Sequence, residues 1–363
     1  MITPAFESFS LLSAKGGLGE AVRDEIYYFK DKANRELGLR FDLTMPLARV
    51  VSSNLQLQKP FKRYQIAKVW RYDNPQALRW REFWQADIDT IGSSSPLADA
   101  ECVACVCEVL NNLGFKQFFV RVNSRRILDS YFSEFVERGK INQVFRVIDK
   151  LDKIGERGVR RELKNLGVDE KKVFDLLRIK GKEKILEKVE EIDRRGFEEL
   201  KEFLEYCESF GIEERIKLDF SLVRGLDYYT SLVFEVDLGE KVSCGGGGRY
   251  DELIENISGI KMPATGISLG LDRIFEVMKE RKMIEKRRSK TKVFVANVSK
   301  EEINEAIKIA QFLRKDGIKV EIDLMERSLK KQIEYASKLQ IPFVLIVGRK
   351  EIEEKKYTLK DLR

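Results

Sequence analysis

The sequence predicts an α+β chain: antiparallel strands interrupted by a helical segment, followed by a smaller α/β unit. Three observations carry this. Residues 61–92, FKRYQIAKVWRYDNPQALRWREFWQADIDTIG, alternate apolar and polar side chains around a polar loop, the pattern of a long hairpin. From Arg125 to about Arg215 the chain is highly charged, with Ile, Leu and Phe at helical spacing, as in INQVFRVIDKLDKI and FEELKEFLEYCESF. After residue 292 the patterns VFVANV, EEINEAIKIAQFLRKDG, KVEID, SLKKQIEYASKL and PFVLIVG alternate strand and helix, an order that implies parallel strands.

With 363 residues and 43% of them apolar, the chain can bury the cores of two or three domains. No run approaches a membrane span, and the first residues lack a signal-peptide layout. Five cysteines without paired spacing argue against a disulfide framework, so a cytoplasmic location is expected. Cys102, Cys105 and Cys107 lie in the apolar helix pattern ADAECVACVCEVLNNLG and read as core residues; no metal site is expected. The net charge of +7 suits a polyanionic partner, and the Lys- and Glu-rich composition hints at a thermophilic source. The chain has no histidine, so its chemistry must rest on positioning, on electrostatics or on a base that the substrate brings.

Taken in order, MITPAFESF reads as extended, and Tyr27–Phe29 and Leu37–Phe41 as two strands around a polar turn at Asp31–Asn34. Asp42 and Thr44 precede Pro46, which suits the start of a helix over LARVVSSNL; the simplest role of Asp42 is an N-cap. Arg71, Arg79 and Arg81 fall at or near the hairpin loop Asp73–Arg79, where three cations repel unless an anion joins them. A basic surface hairpin is the plainer reading. Gln85 and Asp89 lie four apart on a strand and share a face. KQFFVRVN reads as a further strand.

Lys217–Asp251, KLDFSLVRGLDYYTSLVFEVDLGEKVSCGGGGRYD, reads as two strands, through Leu218, Phe220 and Leu222 and then through Tyr229, Leu232, Phe234 and Val236. Arg224, Gly225, Asp227, Tyr228 and Tyr229 stand between them, and buried guanidinium and phenol groups need partners there. Gly245–Gly248 read as a turn stripped of side chains so that another molecule approaches the backbone. A salt-bridged hairpin with a flexible loop accounts for the same residues. KMPATGISLGLDRIFEVMKE leads into a helix with Asp272 and Arg273 in its first turn and Ile274, Phe275 and Val277 inward. A cation there opposes the helix dipole, a cost that a bound phosphate reverses, although an ordinary surface arginine fits too.

RGLDYYT, the Phe234-Glu235 pair and GGGGRYD resemble the two signature segments of the histidyl-tRNA synthetase family, and the resemblance extends over nearly the whole chain. Arg71, Asp73 and Arg79-x-x-x-Phe83 resemble the second motif of class II aminoacyl-tRNA synthetases, and Arg273 matches the third. Asp73 stands where the class prefers glutamate. The resemblance implies a class II antiparallel-sheet catalytic core that joins histidine to its tRNA, tRNA(His), using ATP and Mg²⁺. It implies that Arg71 and Arg224 hold the α-phosphate and substrate carboxylate, the catalytic charges. Asp73, Arg79, Phe83 and Arg273 would serve ATP, with Phe83 against adenine and Arg273 on the γ-phosphate. Asp42, Thr44, Gln85, Asp89, Tyr228 and Tyr229 would hold histidine, with Asp42 and Thr44 at the amino group and Asp89 at the imidazole. Asp42-Leu43-Thr44 looks like the archaeal and eukaryotic form.

The expected domains are catalytic core over 1–124 and 216–280, a helical insertion over 125–215, a basic linker over 281–292, and an anticodon-binding-like α/β domain over 293–363. In the family the insertion leans over the tRNA acceptor arm. The family also extends both ends, so a weakened homodimer is expected here. A non-catalytic, histidine-binding regulator of histidine biosynthesis is the alternative, although such relatives tend to lose the RGLDYYT segment. A sensor domain for uncharged tRNA tends to lose the ATP-site arginines, which this chain keeps.

Overall fold

Three short strands, β1 (Phe6–Ser8), β2 (Tyr28–Lys30) and β3 (Glu36–Leu39), pair antiparallel in the order β1-β3-β2. The expected polar turn joins β2 to β3: the Asp31 carboxylate accepts the N–H groups of Ala33 and Arg35, and Asn34 takes a φ of 60°. The next helix, Thr44–Ser52, starts two residues ahead of Pro46, because Asp42 Oδ1 accepts the Met45 N–H at 3.0 Å and satisfies the first turn. This computed structural model describes residues 2–13, 25–74, 78–223, 228–239, 243–284 and 289–362. It divides into two units, Met1–Met283 and Ile284–Arg363.

The first unit is built on a seven-stranded sheet ordered β4-β5-β10-β9-β8-β6-β7. Its strands are β4 (Phe61–Trp70), β5 (Glu82–Ile91), β6 (Phe119–Ser124), β7 (Ile216–Leu218), β8 (Leu232–Asp237), β9 (Gly245–Arg249) and β10 (Ala264–Gly270). Every pairing is antiparallel except β6 with β7. The two strands of the hairpin β4–β5 match expectation, with Phe61 opposite Ile91 and Trp70 opposite Glu82.

Four expectations need correction. The strand expected to run through Leu222 stops at Leu218, because the Asp219 carboxylate accepts the Ser221 N–H and turns the chain; Phe220 and Leu222 are buried all the same. Strands β7 and β8 do not form a hairpin, since β6 lies between them. The four glycines are not a turn but most of β9, in the middle of the sheet. Phe275 is exposed, because the inward stripe of the helix Leu271–Glu280 falls on Ile274 and Val277, three apart.

Helices share the largest apolar core with the sheet, and a second cluster joins Ile91 and Ala264 of the sheet to Leu47 and Ile254. Pro96–Asn112, capped by Ser95, contacts Arg194–Ser209, and Phe203 of the latter stacks on Phe234 of β8 with centroids 5.7 Å apart. Cys102, Cys107 and Cys207 are buried in this core, where burial pushes their thiols up and leaves them unreactive. The expected helical stretch runs from Arg125–Ser133 to Arg194–Ser209.

In the second unit β11 (Val293–Asn297), β12 (Val320–Ile322) and β13 (Phe343–Val347) are parallel, as their alternation with helices requires. A fourth strand, β14 (Thr358–Asp361), pairs antiparallel with β13, and a short helix, Arg349–Glu354, leads to it. Neither was anticipated, since KYTLKD is too polar to read as a strand. Among the described residues no helix is long and apolar enough to cross a membrane.

Candidate active site

One strand lays out the site. Alternation along β5 turns Phe83, Gln85, Asp87 and Asp89 to one face over about 20 Å. They line a cleft of about 650 Å³ with the neighbouring strands and loops. Of the residues expected to form a site, Asp42, Thr44, Arg71, Asp73, Arg79, Phe83, Gln85, Asp89, Tyr228, Tyr229 and Arg273 all border this cleft. Arg224, Gly225 and Asp227 lie outside the described residues, as do residues 75–77 of the hairpin loop and 285–288 of the expected linker.

The cleft is cationic at one end. Arg71 donates Nε to Phe41 O at 3.0 Å and holds its guanidinium 5.2 Å from the Phe83 ring centroid. Arg273 donates to the carbonyls of Leu78 and Ser243 at 3.0 and 2.7 Å. Burial, then the charges of Arg71 and Arg79, push the Arg273 guanidinium below its usual value. Three cations held so close, with part of the hydrogen-bonding capacity of Arg71 and Arg273 spent on carbonyls, form a site for a polyanion. Glu25, Asp73 and Asp272 border this end; burial first and then Asp73 raise Glu25, while Arg71 and Arg79 lower it. Arg81 turns away, donating to Asp73 O and lying over the Tyr72 ring.

The other end is acidic and phenolic. Asp89 is 4% exposed; Tyr250 donates its hydroxyl to Asp89 Oδ1 at 2.6 Å, and Arg63 Nη2 lies 3.0 Å from Oδ2. The partner of Asp89 is thus Arg63, opposite it on β4. Burial raises the Asp89 carboxyl, against the pull of Arg63 and Tyr250. Asp87 is buried beside it, and burial followed by the Asp89 charge pushes its carboxyl up to about 7. Tyr228 donates its hydroxyl to that of Tyr229 at 2.8 Å, and burial pushes the Tyr228 phenol up. Asp42 joins this end while also capping its helix.

Glycines form the floor. Gly266 faces Asp89 across the β5–β10 ladder, where a Cβ would fall 2.3 Å from Asp89 Oδ1. At Gly248 a Cβ would fall 2.9 Å from the Tyr229 ring. At Gly246, which shares a row with Ser268 and Asp87, it would meet only Phe234 O at 3.3 Å and would enter the cleft. Arg249, the arginine of the glycine segment, lies elsewhere. It is 1% exposed and ion-paired to Asp99, and it donates to the carbonyls of Ser93 and Ser95, fastening β9 to the start of the helix Pro96–Asn112.

Sequence reasoning passed over Asp87 and Tyr250, although the alternation that selected Gln85 and Asp89 also selects Asp87. It passed over Asp149 on the cleft wall as well, which lies at the end of the helix Ile141–Ile148 with no local signal to mark it. Among the described residues no group of three or more Cys, Asp or Glu side chains is placed to hold a metal ion.

An antiparallel sheet carrying a cleft with arginines at one end and carboxylates at the other is a class II aminoacyl-tRNA synthetase core. Family models for histidyl-tRNA synthetase and for an anticodon-binding domain match residues 1–274 and 292–363. The histidine–tRNA ligase of Pyrobaculum islandicum is 37% identical, over 99% of this chain and 85% of its own length. The solved histidyl-tRNA synthetase of Nostoc sp. is 32% identical with a TM-score of 0.79, covering 99% of this chain and 86% of that one. A Bacillus halodurans structure described as an ATP phosphoribosyltransferase regulatory subunit/histidyl-tRNA synthetase shares the fold, with a TM-score of 0.75 at 23% identity over 96% of this chain and 88% of that one. The chain belongs to the histidyl-tRNA synthetase family of aminoacyl-tRNA ligases.

Proposed function

We propose that this cleft joins histidine to ATP as an aminoacyl-adenylate and passes the histidyl group to tRNA(His). The observation that carries the reading is the polarity of the cleft, with Arg71, Arg79 and Arg273 at one end and Asp42, Asp89 and the tyrosines at the other. ATP lies along the cationic end, with adenine against Phe83, the α-phosphate at Arg71 and the outer phosphates at Arg273. Asp73 and Arg79 border it. Mg²⁺ would enter with the nucleotide beside Glu25 and Asp73 and would supply charge neutralisation at the outer phosphates. Histidine lies at the acidic end: Asp42, Thr44 and Gln85 face its amino group, and Asp89, Tyr228 and Tyr229 its ring.

A carboxylate oxygen of histidine attacks the α-phosphorus, and the bond to the bridging oxygen breaks to release pyrophosphate. Two anions must meet, so positioning and charge neutralisation supply the rate. Arg71 does this, and by resemblance Arg224. In the second step a ribose hydroxyl of the tRNA attacks the acyl carbon and the adenylate phosphate takes its proton, as the bond from the acyl carbon to the phosphate oxygen breaks and AMP leaves. This accords with a chain that has no histidine to act as base.

The helical segment 125–215 faces the acceptor arm and residues 293–363 the anticodon, in keeping with the basic charge of the chain. The chain works in the cytoplasm as a homodimer. Exposed apolar side chains along the edge strand β4, Tyr64 and Ile66, favour an interface there, with Phe6 and Ile2 also exposed at the N-terminal end. A histidine-binding regulator would gain nothing from three arginines crowded together. ATP–pyrophosphate exchange against a panel of amino acids tests the reading. Exchange should depend on histidine alone; exchange with another amino acid, or none with any, overturns it.

A further inference from the structure

We propose that Arg63 decides which protonation state of the histidine ring the cleft accepts, cancelling the charge of Asp89 so that neutral imidazole binds and imidazolium does not; this rests on the histidine-activating reading above. Alternation along β4 turns Arg63 and Gln65 to the face that carries Asp87 and Asp89, and Tyr64 to the other. Arg63 stands opposite Asp89 with its Nη2 3.0 Å from Oδ2, and both side chains are buried. It is fastened by three neighbours in series. Nη1 donates to Gln65 Oε1 at 2.6 Å and Nη2 to Leu43 O at 2.9 Å. Gln65 Nε2 donates to Thr3 Oγ1 at 3.1 Å, and Arg40 Nη1 donates to Thr3 O. Arg63 is thus a positioning residue, a fixed charge that acts through Asp89.

The two oxygens of Asp89 differ. Tyr250 donates to Oδ1, whereas Oδ2 meets Arg63 as a charge but accepts no hydrogen bond among the described residues. An acceptor left open at that depth suits one N–H of a ring. Around Asp89 stand Asp87 on its own strand, Asp42 ahead of the helix Thr44–Ser52, Tyr250 after β9, and the Cys102 thiol on the helix Pro96–Asn112. Gly266 of β10 brings no side chain, and Tyr228 and Tyr229 line the same end. Asp42 answers the amino group, and Asp87, pushed up to about 7, is largely protonated in mild acid. Arg40, a further cation near Arg63, is engaged with the carbonyls of Thr3, Pro4 and Lys68. The charges that bear on the ring are therefore those of Asp89 and Arg63, and they cancel. A neutral imidazole brings its N–H without a charge. An imidazolium would bring a buried cation close to the guanidinium. Removing Arg63 reverses the preference, because Asp89 is left as a buried carboxylate without its partner.

A ring that does not titrate supplies the comparison. β-(1,2,4-Triazol-3-yl)alanine keeps an N–H and an acceptor nitrogen, and its weakly basic ring stays neutral in mild acid. The KM for histidine divided by the inhibition constant of the analogue, both from pyrophosphate exchange, cancels pH effects other than that of the ring. In the wild type this ratio should rise about 10-fold from pH 7.5 to pH 5.5, since a histidine ring titrates at about 6.5 and only its neutral form binds. In Arg63→Met the ratio should stay level or fall. A wild-type ratio that stays level, or a variant ratio that rises as the wild type's does, overturns the inference. If the variant does not fold or exchanges too weakly to measure, calorimetry on the wild type at pH 5.5, in buffers of different ionisation heat, decides. Histidine should release about one proton more than the analogue, the ring proton given up on binding. Equal release by the two ligands refutes it. Wild-type exchange at pH 7.5 separates the failures: without histidine-dependent exchange the reading and the inference fall together, and with it these results judge the inference alone.

Discussion

Four consecutive glycines in the middle of a sheet invite a test in which neighbours should behave oppositely. At Gly247 a Cβ would lie 2.1 Å from Gly266 O and 2.5 Å from Ile267 Cα, both backbone atoms of β10. Ordinary contact needs well over 3 Å, so β9 and β10 would have to part by about 1 Å and lose ladder hydrogen bonds between them, an overpacking cost of about 3 kcal/mol or more. At Gly246 the nearest atom is Phe234 O at 3.3 Å, and no positive φ strains an alanine there. A few tenths of an ångström relieve that contact, and the stiffer unfolded chain offsets it by about 0.4–1 kcal/mol. Gly246→Ala should therefore keep its Tm within a few degrees of wild type. Its methyl enters the cleft in the row of Ser268 and Asp87, so exchange activity should fall by about 10- to 200-fold, the effect of one methyl-sized misfit in a binding site. Gly247→Ala should lose stability, read by thermal unfolding of both variants beside exchange. A stable Gly247→Ala protein, or Gly246→Ala exchanging at the wild-type rate, would refute the division of the glycines into structural and cleft-forming.

Three further outcomes concern the framework around the site. Asp99→Asn leaves Arg249 buried with Asp251, 3.3 Å away, and the charge of Glu199 to oppose its own, and should cost about 3–5 kcal/mol in urea unfolding. Arg249→Met should be milder at pH 5 than at pH 8, since burial already pushes the Asp99 carboxyl up to about 6 and its loss of a partner lets it take a proton. Asp219 behaves in the opposite sense: burial opposes its charge, but hydrogen bonds from Ser221 and the charges of Arg121 and Lys180 hold it at about 2. A carboxyl lowered on folding stabilises above its unfolded value of about 4 and loses that contribution as pH falls toward 2. Asp219→Asn should thus cost about 2 kcal/mol at pH 7 and almost nothing near pH 2; a difference that persists at pH 2 would assign the loss to packing.

What the sequence made legible was local periodicity. The β4–β5 hairpin, the helices from Arg125 to Ser209 and the parallel strands of the second unit each follow from side-chain spacing within one element. Strand β9 was illegible for a physical reason. Glycine carries no strand preference of its own, and what requires it there is the closeness of β10, on a stretch of chain read separately. Long-range partners were equally hidden: nothing in the local pattern joins Asp99 to Arg249, 150 residues on, or turns Asp89 toward Arg63. Motif resemblance gathered the cleft residues but did not separate their duties. In GGGGRYD the arginine is buried in an ion pair, the tyrosine holds Asp89, and of the glycines Gly246 alone has room for a methyl toward the cleft. Asp87 makes the complementary point. Resemblance named Gln85 and Asp89 around it, yet simple alternation along β5 puts Asp87 on the same face, and a carboxylate at that depth with an unpartnered oxygen is harder to explain as packing than as part of a binding site.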